Sequence, residues 1–169
     1  MKRDLSLSMI VVLVFITIGQ IWANDRLISA EKFIGDGDYK KAVDLLEEAT
    51  KENSSDTEAW ILLGNSYMRL GKDKNAMEAY EQVIGIDPEN ENAYLGLGRA
   101  YSMMRRHSDA IEAYKKVVQI NPKHAEAYFN LGVSYDRSSN LTYAFEQYKI
   151  LKTLDEDLAT KLYHIILGN

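Results

Sequence analysis

The chain has 169 residues, 46% of them hydrophobic, with a formal net charge of −5, only two prolines and no cysteine. That length suffices for one domain with a real core. The missing cysteines exclude disulfides, thiolate metal sites and thiol nucleophiles, and the acidic balance argues against a dedicated nucleic-acid binder, which carries a strongly basic face.

The first segment, MKRDLSLSMIVVLVFITIGQIWA, sets Lys2 and Arg3 ahead of a nearly continuous apolar stretch from Leu5 to Ala23. Two readings stand. A short apolar run from Met9 to Ile18, then Gly19 and a small residue at Ala23, has the layout of a cleaved secretory signal peptide. The whole stretch is also just long enough to cross a bilayer as an anchor, with Trp22 at the interface. Under either reading the basic residues stay on the cytoplasmic side, so residues 24–169 are expected outside the cytoplasm. An uncleaved segment would tie the protein to the membrane. No cysteine follows the run, which excludes a lipoprotein anchor.

Further along, the sequence repeats itself at a spacing of 34. Leu63-Gly64 recurs as Leu97-Gly98 and Leu131-Gly132; Trp60 becomes Tyr94 and Tyr128, and Tyr67 becomes Tyr101 and Tyr135. Ala76 matches Ala110 and Ala144, Tyr80 matches Tyr114 and Tyr148, and Pro88 matches Pro122. Within a unit, Trp60, Leu63, Gly64 and Tyr67 fall on one face of a first helix, while Ala76, Tyr80 and Val83 mark the buried stripe of a second. Gly71 suits the left-handed end of the first helix. Asp87-Pro88 and Asn121-Pro122 pair an N-capping side chain with a proline fit for the first helical position, so each is expected to start the next helix. Connections this short allow only antiparallel neighbours. Gly64, Gly98 and Gly132, inside helices, are expected to let two backbones approach.

The pattern of aromatic, leucine-glycine, tyrosine, alanine, aromatic and proline, in this order and period, resembles the tetratricopeptide repeat family. The units run 57–90, 91–124 and 125–158. A degenerate copy precedes them at 23–56, where Ala30, Phe33, Gly37, Ala42 and Leu46 fit but Arg26 replaces the aromatic. The last unit has Glu156 in the place of proline, with Asp155 left to cap a following helix. Residues 156–167 read as that helix, its Leu158, Leu162, Ile165 and Ile166 covering the last repeat before Gly168 stops it; a stacked array needs such a cap. The resemblance implies an all-α fold: a right-handed superhelical solenoid of antiparallel helix pairs with a C-terminal capping helix, spanning residues 24–169.

No catalytic set stands out. His107, His124 and His164 lack the spacing and carboxylate companions of a helical zinc site, and GDGDYKK at 35–41 fails as a calcium loop because Lys40 sits where an acidic or amide ligand belongs. The periodic tyrosines belong to the core, and GLGRA at 96–100 lies inside a helix. Neither an enzyme, a cofactor nor a metal is therefore expected.

The family resemblance places function on the first-helix faces, which line a concave surface that takes an extended peptide or a partner helix. Projection at 100° per residue puts Glu58, Leu62, Asn65 and Arg69 on that face, then Asn92, Gly96, Arg99 and Met103, then Glu126, Asn130, Val133 and Arg137. Asn65, Arg69, Arg99, Met103, Asn130 and Arg137 are the candidate binding residues. Some family members clamp a partner's C-terminal carboxylates, but Ile61, Gly96 and Glu126 stand here where that clamp needs polar or basic groups. The expected role is an interaction scaffold for a protein or peptide partner outside the cytoplasm, without nucleic acid. The alternative is a homo-oligomeric structural component of a membrane or envelope complex.

Overall fold

The computed structural model describes residues 25–168, so the segment ahead of them, with its two readings, lies outside the described residues. Among the described residues every regular element is a helix. Residues 25–35 are helical (α1). They are followed by α2 (Tyr39–Glu52), α3 (Thr57–Arg69), α4 (Asp73–Ile86), α5 (Glu91–Met103), α6 (His107–Ile120), α7 (Ala125–Arg137), α8 (Leu141–Leu154) and α9 (Glu156–Leu167). The pairs α3–α4, α5–α6 and α7–α8 pack together, each second helix packs on the next first helix, and α3, α5, α7 and α9 touch in succession. The chain is a solenoid of stacked antiparallel helix pairs, as the family resemblance implied.

The helix starts differ from expectation. Asp87 and Asn121 do not cap the following helix; they end α4 and α6. The turn Asp87-Pro88-Glu89-Asn90 closes with Asn90 N–H donating to the Asp87 carbonyl at 3.2 Å, while Asp87 Oδ1 accepts from Glu89 N–H. Proline therefore sits at the second position of a β-turn, where its fixed φ is equally at home. Two of the caps come three residues later: Asp56 and Asn90 accept from the N–H of Ala59 and Ala93 at 3.0 and 3.1 Å, whereas Asp155 caps α9 as expected, accepting from Leu158 N–H at 2.9 Å. Ahead of α7, His124 takes the capping place, its Nδ1 accepting from Ala127 N–H at 3.3 Å.

The glycines also have a sharper explanation. A Cβ on Gly64 would lie 2.6 Å from the Tyr80 ring, and one on Gly96 would collide with the same ring. Tyr80, 1% exposed, is thus a wedge from α4 between α3 and α5, so what glycine admits is an aromatic ring and not a neighbouring backbone. Tyr114 fits against Gly98 in the same way. Gly96, expected on the open face, is buried for this reason.

The third unit breaks the pattern. Asp155 serves at once as the end of α8 and the N-cap of α9, so the turn found after α4 and α6 is missing. Leu162 then fills the place against Gly132, and Tyr148 is only half-buried, its ring 5.2 Å from that of Tyr163. Of the expected capping residues Leu162 is fully buried and Leu158 and Ile166 half-buried. Ile165 is 39% exposed and turns to a different surface.

Candidate functional site

A cavity of about 410 Å³ opens along the first helices. Its lining draws on α3 (Met68), α5 (Arg99, Ser102, Met103), α7 (Phe129, Asn130, Val133, Ser134, Arg137) and α9 (Ile165), with Tyr114 reaching it from α6. Four of the six candidate residues, Arg99, Met103, Asn130 and Arg137, therefore converge on one groove. The other two do not line it. Asn65 Oδ1 accepts a hydrogen bond from the Tyr80 hydroxyl at 2.8 Å, and the Arg69 guanidinium stacks 5.1 Å from the Tyr39 ring centre.

Asn65 and Arg69 both stay exposed, because the cavity lies over α5 and α7 and reaches only Met68 of α3; packing removes Gly96 alone from the projected face. Each first helix is wedged between its own second helix and the preceding one, so its buried arc is wide. In α5 it includes Ala93, Leu95, Gly96, Leu97, Gly98 and Ala100. The free arc is correspondingly narrow and displaced from the diametric face, which brings in Met68 and Ser102. Phe129 and Ile165 were missed because nothing in a single helix shows which apolar side chains sit at the margin of the core: Phe129 is half-buried against the Leu151, Ala159 and Leu162 cluster, and Ile165 is 39% exposed.

The groove's lining is mostly apolar, and its charged members are the cations Arg99 and Arg137. Met103 is 66% exposed. Arg99 forms an ion pair with Glu126, which ties α5 to α7 beside the groove. A smaller cavity of about 370 Å³ adjoins, sharing Ser102, Met103 and Arg137 and adding Arg105 from the α5–α6 turn and His107 from the start of α6. Arg105 holds a left-handed backbone, φ 60°, as does Ser139 (φ 60°), at the turn position that Gly37 and Gly71 occupy earlier in the array.

The titration shifts have structural causes. Burial pushes the Tyr80 and Tyr114 phenols up, and Tyr67 is raised by burial together with its hydrogen bond to Glu47. Asp38 is lowered by its hydrogen bonds from Lys41. Among the described residues no three metal-binding side chains gather, and no helix is long and apolar enough to cross a membrane.

Comparison with known proteins bears on this geometry. A family model described as TPR repeat matches residues 64–104 and 106–138, and one described as tetratricopeptide repeat matches residues 33–79. No curated protein sequence matches the chain significantly. Among solved structures, the crystal structure of MamA is 25% identical, with a TM-score of 0.77 over 82% of this chain and 81% of that one. YrrB, described as a TPR protein with an unusual peptide-binding site, is 21% identical, with a TM-score of 0.75 over 82% of this chain and 73% of its own. The first TPR of Spaghetti (RPAP3), solved bound to the HSP90 peptide SRMEEVD, is 20% identical, with a TM-score of 0.66 over 72% of this chain and 94% of its own.

Proposed function

Because the chain belongs to the tetratricopeptide repeat family, we propose that it is a non-enzymatic interaction scaffold that captures a peptide or helix of a partner protein in the groove between α3, α5, α7 and α9. The observation that carries this is the cavity itself: α3, α5, α7 and α9 all contribute side chains to one opening, whose lining is mostly apolar with Arg99 and Arg137 as its charged members. An apolar lining supplies contact area, and guanidinium groups supply oriented hydrogen bonds to carboxylates or carbonyls. Peptide binding by YrrB and by the RPAP3 repeat supports the reading at the level of the fold. The scaffold works outside the cytoplasm, either released after cleavage at Ala23 or anchored by residues 1–23; Lys2 and Arg3 before the apolar stretch support that orientation.

The test is crosslinking in intact cells followed by purification from detergent-solubilised membranes. Arg99→Glu combined with Met103→Glu, at a groove residue that is largely exposed, should abolish the crosslinked partner while leaving helicity and the unfolding midpoint close to those of the parent. Retention of the partner would remove the groove from consideration. Protease added to spheroplasts or sealed cells should digest the repeat domain; full protection would overturn the proposed location. A second reading, self-association, is favoured by Tyr163 and Leu167, 39% and 48% exposed on the outer helix. Native mass that falls on Tyr163→Glu with Leu167→Glu would support it.

A further inference from the structure

The chain is acidic overall, yet its groove is not. Arg99, Arg105 and Arg137 line the groove and its adjoining cavity, whereas no Asp or Glu among the described residues lines either. Arg99 is committed to Glu126. Elsewhere Arg26, Lys41, Arg106 and Lys115 also have acidic partners. Arg105 and Arg137 have none within ion-pair distance among the described residues, and they border the same cavity from neighbouring repeats.

Arg105 also occupies a costly place. Its left-handed backbone is the conformation for which the two preceding turns use glycine, and a side chain there costs roughly 1–2 kcal/mol. Glycine would relieve that cost but would leave the cavity without its second unpaired guanidinium.

We propose that the groove selects an extended segment of a partner protein in which an apolar side chain is flanked by carboxylates. The apolar side chain rests on Met103, Phe129, Val133 and Ile165, and the carboxylates meet Arg105 and Arg137. The inference rests on the groove reading above and adds the partner's chemistry to it. Fork-shaped guanidinium pairs with carboxylates give orientation as well as attraction. The chain's own leading segment is a poor occupant, because Lys2 and Arg3 carry the same sign as the groove's arginines.

The experiment is selection from a random-peptide display library on the full-length protein in detergent micelles, followed by affinity measurement of the enriched peptides at low and high salt. Enriched sequences should place Asp or Glu on both sides of an apolar residue. Arg105→Gly with Arg137→Gln should weaken them by about tenfold or more, and raised salt should do the same. Arg105→Gly relieves backbone strain, so a loss of binding with an unlowered unfolding midpoint is not a folding effect. Enrichment of neutral or basic peptides, or unchanged affinity in the double variant, overturns the acidic preference and leaves the groove standing. Absence of any enrichment, or peptides indifferent to Met103→Glu, overturns the groove reading and this inference together.

Discussion

Tyr80 shows how much one side chain decides in this array. Its ring separates α3 from α5 where Gly64 and Gly96 leave room, and its hydroxyl donates to Asn65. Gly96→Ala should therefore cost about 1–3 kcal/mol by overpacking, although alanine favours a helix by about 1 kcal/mol. Urea unfolding at neutral pH would measure it, and a stabilised variant would contradict the wedge. Burial raises the Tyr80 and Tyr114 phenols, whereas unfolding returns them to the ordinary value near 10. The native state then holds more protons than the unfolded one, so stability is full below about pH 10 and falls as pH rises beyond it. Tyr80→Phe with Tyr114→Phe should flatten that decline in pH-dependent melts; an unchanged slope would assign it to other groups. The 34-residue period made both tyrosines legible as core. It could not show that Asn65 spends its side chain on Tyr80, because that bond joins two helices.

At the level of elements, the turns and the last helix matter most. The left-handed turn position holds glycine after α1 and α3, but Arg105 after α5 and Ser139 after α7. Ser139→Gly should stabilise the chain by up to about 1 kcal/mol, seen as a raised urea midpoint with an unchanged slope. A lowered midpoint would mean that the Ser139 side chain contributes something its geometry does not reveal. The junction of α8 and α9 shows where periodicity misleads. Without the intervening turn, α9 presents Leu162 to Gly132 and swings Ile165 to the groove. A helix that reads as a cap from its apolar spacing therefore also forms one wall of the candidate site.

Over the whole molecule, each helix packs chiefly on its near neighbours, so stability should be distributed along the array and not concentrated in one core. Leu162, fully buried at the far end, tests this. Leu162→Ala should cost about 2–5 kcal/mol locally. Hydrogen exchange should then speed up first in α8 and α9 while α3–α6 stay protected; uniform loss of protection would show a single cooperative unit instead. The sequence by itself determined the helix pairs, their antiparallel order and the stacking residues, because a repeating unit imposes the same burial at every copy. Only the tertiary structure decided which side chains remain outside. The free arc of each first helix is what two flanking helices leave uncovered: it loses Gly96 to the Tyr80 ring, keeps Asn65 and Arg69 exposed but outside the cavity, and leaves Met68, Phe129 and Ile165 at the cavity wall.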